Sequence, residues 1–138
     1  MKKLLSLSIG ILLMIGFTGC DSGSNPTGAN DNTPIEDVSF SNDVQPIFNN
    51  NCVGCHPGNG NLSLAASESY NNLVGVTSNS YAPLKRVVPS NPDSSVLYQK
   101  ILANPDLSVG QRMPQGGALS SNQIETIGTW IEEGAKDN

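Results

Sequence analysis

The chain has 138 residues, enough for one globular domain of about 100 plus a targeting segment and a tail, and too few for two full domains. From Cys20 onward apolar residues make up roughly a third of the chain and aromatics are 5% of the whole. A core that lean stays marginal unless it takes apolar surface from something that is not protein. Without Lys2 and Lys3, five Lys and Arg face twelve Asp and Glu, a charge of about −7. That balance argues against nucleic acid as a partner and against tight docking on anionic lipid head groups.

Two lysines, an apolar run over residues 4–17 and then Thr18-Gly19-Cys20 follow the three-part pattern of an export signal. The run is too short to be read as a membrane span. A small residue directly before a cysteine resembles the bacterial lipobox, which implies cleavage before Cys20 and lipidation of Cys20. Phe17 stands where that pattern more often has Leu. Residues 1–19 are therefore expected to be a lipoprotein signal peptide, and acyl chains on Cys20 would anchor the protein to a membrane without spanning it. Residues 21–34 are Gly, Pro, Ser, Asn, Asp and Thr apart from one Ala, so residues 20–35 are expected to form a flexible lipid-anchored linker with an end-to-end distance of roughly 20 Å. The domain, residues 36–138, would then lie in the periplasm or elsewhere in the cell envelope, outside the cytoplasm.

Within the domain the apolar spacing is helical in pieces and nowhere alternates over a strand length, which predicts an all-α fold of about four short helices with long loops. Val44, Ile47, Phe48 and Cys52 share one face of a first helix starting near Ser41, with Pro46 tolerated in its first turn. Tyr70, Leu73 and Val74 suggest a short second helix over residues 67–74, weakened by Asn71, Asn72 and Gly75. Val96, Leu97, the Lys100 stem, Ile101 and Leu102 mark a third of about three turns, opened by Pro92 or Asp93 and ended by Asn104-Pro105. The last helix is the best specified. Ser120 with Gln123 makes a capping box, Leu119 and Ile124 are placed as a hydrophobic staple, and Gly134 supplies the stop. Ile124, Ile127 and Ile131 share its inner face, with Trp130 beside it.

Where the first helix ends, the chain reads Cys52-Val53-Gly54-Cys55-His56, the C-x-x-C-H spacing of c-type haem attachment. Two thiols three positions apart can reach two vinyl groups on one porphyrin, with the next residue, His56, under the iron. The other readings of a cysteine pair fit poorly. A zinc site lacks a fourth Cys or His, a thioredoxin-like pair lacks its βαβ surroundings, and a disulfide across so short a loop adds little. After Cys20 the chain contains one His, His56, and one Met, Met113. Ligation by two histidines of the same chain is thereby excluded, and the only available thioether is Met113, in the Gly- and Pro-bounded loop Gln111-Arg112-Met113-Pro114-Gln115-Gly116-Gly117. Lys85, Lys100 and Lys136 are the fallback donors. Phe48, Leu97, Ile101 and Trp130 are candidates to line the haem.

Taken together, residues 38–136 resemble a monohaem class I cytochrome c, on the C-x-x-C-H motif, the later Met113-Pro114 and a Trp-bearing last helix. The resemblance implies a small all-α fold in which first and last helices cross, with one covalent haem c in a crevice and one haem edge exposed. Cys52 and Cys55 would form the thioethers, His56 would be the proximal iron ligand and Met113 the distal one. Val44 stands where family members often have a Gly one turn before the helix-one aromatic, and Gly128 on the last helix could supply that gap. The long polar segment 58–89 resembles domains fused to or paired with larger periplasmic enzymes. With both axial positions filled, the expected role is single-electron transfer between redox proteins of the cell envelope, at a potential raised by Met, and no catalysis. The acidic surface suggests a transient partner with a neutral or basic patch, the protein itself being a monomer or a subunit of a larger redox complex. The rival reading is an open-site haem peroxidase or a gas or redox sensor. For that role the chain offers no second His, and Arg112 is the only cation near Met113.

Overall fold

The computed structural model describes residues 34–106 and 108–138; the expected signal peptide, the lipidation site Cys20 and the linker up to residue 33 lie outside the described residues. Among the described residues the repeating structure is helical. A π-helical turn, Phe40–Val44, runs directly into α1, Gln45–Asn51, and the others are α2 (Ser69–Leu73), α3 (Val96–Ile101) and α4 (Ser121–Glu132), with a 3-10 turn at Asn59–Asn61. No strand forms among these residues, only isolated bridges such as Val74 with Val87 and Lys85 with Ser95. None of the helices is long and apolar enough to cross a membrane.

The first helical segment begins close to the expected Ser41 but changes winding at Gln45. Pro46, at its first turn, has no amide hydrogen and cannot extend an i to i−4 ladder backwards. The second helix is shorter than the spacing predicts, because Val74 already turns to extended backbone. In α4 the capping box forms as expected: the Gln123 amide donates to Ser120 Oγ at 3.3 Å and the Ser120 amide to Gln123 Oε1 at 2.9 Å. Gly134 follows the helix with φ +102°, the left-handed geometry a glycine stop supplies.

α3 departs most from its expected bounds. Its N-cap is Ser95, whose side chain makes no cap bond. Instead the Val96 and Leu97 amides donate to the carbonyls of Lys85 and Arg86 at 3.0 and 2.9 Å, so an extended neighbouring segment satisfies the helix start. That same segment is bonded on its other side to the stretch after α2, through Arg86 N to Val76 O and Gly75 N to Val87 O.

The core gathers four of the chain's few aromatics. Phe40 meets Trp130 at 5.0 Å, Tyr70 at 5.3 Å and Phe48 at 6.2 Å between ring centroids, and the Trp130 indole donates to the Lys136 carbonyl. Val44, Ile127 and Ile131 are wholly buried beside them. Two latches hold the ends of the domain together: the Glu133 carboxylate accepts from the Asp37 and Val38 amides at 2.8 and 2.9 Å, and Asn138 Oδ1 accepts from the Phe40 amide. Gly128 gives close approach, but to α3. A Cβ placed there would meet the Tyr98 ring at 2.9 Å, so the gap admits Tyr98 and not the first helix.

Candidate functional site

α1 delivers its C-terminal residues into a tight turn. The Cys52 and Val53 amides donate to the Phe48 carbonyl, and the Cys55 and His56 amides both donate to the Cys52 carbonyl, at 3.0 and 2.9 Å. Cys52 is half-buried against the core, Cys55 is exposed, and both thiols are free. Burial first, and the neighbouring Cys55 second, push the Cys52 thiol up to about 11, so at neutral pH it is held uncharged.

His56 is oriented by its own loop. Its Nδ1 lies 3.0 Å from the Asn59 carbonyl oxygen. A carbonyl can only accept, so Nδ1 carries the proton and Nε2 keeps its lone pair for a metal. A hydrogen bond of this kind is what fixes tautomer and ring direction where a histidine ligates a metal. The loop is closed behind it by Leu64 N to His56 O at 2.9 Å and by the Pro57 to Ser63 bridge.

Met113 is set in place by the C-terminus of α3, whose last carbonyls have no partners within the helix. The Met113 amide donates to the Lys100 carbonyl at 2.7 Å, Arg112 Nε to the Ile101 carbonyl at 3.0 Å, and Lys100 Nζ back to the Gln111 carbonyl at 2.9 Å. These bonds also explain why the helix stops at Ile101, well before Asn104-Pro105.

Between the two lies a cleft of about 410 Å³ lined by Cys52, Cys55, His56 and Met113 together. Its walls are aliphatic, among them Leu62, Leu64, Leu73, Leu97, Ile101 and Leu119, and its polar part includes Ser78, Tyr81, Arg86 and Lys100. All four expected haem and iron residues therefore border one space. Of the expected lining residues, Leu97 and Ile101 take part. Phe48 and Trp130 do not: both are fully buried in the aromatic core. Among the fallback donors only Lys100 borders the cleft, and its ammonium is engaged by the Gln111 carbonyl and by the Tyr81 ring, 5.1 Å away.

The sequence reading missed Arg86, Tyr81 and the Asn59 carbonyl. Arg86 stands beside the exposed Lys85 between Leu84 and Val87, and nothing local in the sequence tells the buried charge from its neighbour. No three His, Cys, Asp or Glu side chains converge as a metal-binding group among the described residues. Comparison with protein-family models, with curated proteins and with solved structures found no match.

Proposed function

We propose that the protein is a monohaem c-type cytochrome of the class I kind, anchored in the cell envelope through lipid on Cys20 and carrying single electrons between redox proteins. The observation that supports it best is the shared cleft, bordered both by the C-x-x-C-H turn and by the only methionine after Cys20. The residues present suit the group: two free thiols for thioethers, an imidazole with Nε2 available, a thioether donor, and aliphatic walls for an apolar macrocycle. When bound, haem supplies a one-electron iron couple.

The chain's own residues then decide what that couple does. Cys52 and Cys55 would hold the group covalently, and His56, its Nδ1–H tied to Asn59, would present Nε2 to it. Met113, fastened through its amide to α3, presents a soft sulfur that favours the reduced state and raises the potential. Aliphatic walls such as these would limit water around a bound group and lower the dielectric there. With His56 and Met113 both given to the iron, the site would exchange electrons and would not bind dioxygen or peroxide. A net negative surface favours a partner with a neutral or basic patch, docked transiently and more weakly as salt rises.

The test is the absorption spectrum of the haem-loaded protein, oxidised and reduced, beside Met113→Ala. A low-spin spectrum with a far-red sulfur-to-iron band that vanishes in the variant is the expected result. A high-spin protein that binds carbon monoxide rapidly and ignores the substitution would overturn it in favour of an open-site peroxidase or sensor.

A further inference from the structure

Resting on that reading, we infer that Arg86 is the buried counter-charge for a carboxylate of the bound haem, and that it tunes the iron's potential without touching the iron. Arg86 is only 8% exposed and borders the cleft. Its Nη1 donates to the Asn72 carbonyl at 2.7 Å and its Nη2 to the Asn61 carbonyl at 2.8 Å. Carbonyls orient a guanidinium but do not neutralise it, and among the described residues no carboxylate pairs with this one. Of its five N–H groups, those two bonds leave three to serve the cleft. A buried cation without an anion is strongly disfavoured, and the physical expectation is that an anion completes it.

The surroundings carry the same message. In a chain with 12 Asp and Glu against 7 Lys and Arg, the cleft lining contains Arg86 and Lys100 and no acidic residue. The sign of the charge is inverted there. Lys100 is only half-buried, and its ammonium is held by Gln111 and the Tyr81 ring, which leaves Arg86 as the buried cation of the lining. Haem is an apolar disc with two carboxylates on one edge, and a cleft with aliphatic walls and one buried guanidinium matches both parts of it. Arg86 also reaches, through Asn61, the loop whose Asn59 carbonyl orients His56. Pairing at the carboxylate edge and alignment of the proximal ligand thus share one short loop.

The experiment is the reduction potential of the haem-loaded full chain between about pH 5 and 8, for the wild type, Arg86→Gln and Arg86→Lys. The titratable groups bordering the cleft are Cys52, Cys55, His56, Tyr81 and Lys100, and His56 is the only histidine of the chain and is taken by the iron. A carboxylate paired with Arg86 stays ionised throughout this window, so the wild-type potential is expected to be flat. Arg86→Gln is expected to lower the potential, because a positive charge near the ferric iron is removed, and to make it pH-dependent as the freed carboxylate titrates. Arg86→Lys is expected to restore the flat profile in large part.

A haem-loaded Arg86→Gln protein with wild-type potential and profile would overturn the inference while leaving the proposed function intact. Should that variant fail to accumulate, the wild type decides by itself: a potential that titrates within the window overturns the pairing, and a flat one upheld by Arg86→Lys supports it. A wild type that takes up no haem would overturn the functional reading, and this inference with it.

Discussion

Gly110 lies at φ +69°, and a Cβ there would sit 3.0 Å from the Tyr81 hydroxyl and 3.8 Å from Lys100 Nζ. Lys100 Nζ fastens the loop that carries Met113 through the Gln111 carbonyl, and the Tyr81 ring lies against that ammonium. Gly110→Ala is therefore expected to cost about 1–3 kcal/mol and to weaken the far-red band; thermal unfolding and the absorption spectrum check both, and an unchanged melting temperature would show that the loop yields freely. Two tyrosines contribute to the pH dependence of stability at the alkaline end. Tyr70, whose hydroxyl donates to the Ala135 carbonyl, is raised above its ordinary value of 10.0 by burial and then by Asp137. Tyr98 is raised by burial and then by Glu132, Asp93 and Glu125. A folded-state pKa above the unfolded one favours the protonated, folded chain, so this contribution is complete below about pH 10 and is lost as pH climbs through the raised values. Alkaline unfolding should be shallower in a Tyr70→Phe, Tyr98→Phe double variant; an identical slope would count against the assignment. At this scale the sequence was most readable where the chemistry is local. Cys52, Cys55 and His56 are neighbours, and Met113 was singled out by a count. Arg86 could not be found that way, since its burial exists only where residues 61, 72 and 76 meet around it.

Whether a helix end could be foreseen depended on where its partners lie. The α4 capping box uses atoms three residues apart, and Ser120→Ala is expected to cost about 1 kcal/mol, lowering the melting temperature by about 4–8 °C for a domain of this size. A drop of under one degree in calorimetry would mean the box is redundant. The start of α3 was misjudged because its first amides are satisfied by Lys85 and Arg86 carbonyls, groups no local pattern reveals. Its end was misjudged for the matching reason: Lys100 and Ile101 carbonyls are taken by Met113 and Arg112, and the helix gives way to the loop that the site needs. The same bonds that shorten α3 therefore position the sulfur.

For the molecule as a whole, the lean composition divides into two halves of different character. Phe40, Phe48, Tyr70 and Trp130 make a dry aromatic core, while aliphatic side chains such as Leu62, Leu97 and Leu119 border the cleft. In the proposed reading that second half is completed by haem, so cofactor attachment and folding are coupled. A Cys52→Ser, Cys55→Ser protein is expected to unfold at lower temperature and to exchange amide hydrogens faster around residues 57–64 and 109–117 than the haem-loaded chain; equal protection in both would separate folding from attachment. The sequence by itself determined the helical character, the capping box, the turn of thiols and imidazole, and the short roster of candidate iron donors, because each depends on neighbours along the chain or on simple counts. Only the tertiary structure decided that Met113 faces the same cleft as His56, that Phe48 and Trp130 belong to the core, and that Arg86 is buried without an acidic partner among the described residues. Those outcomes arise from contacts between segments far apart in sequence, where burial and hydrogen-bond satisfaction are settled by what packs alongside and not by what comes next.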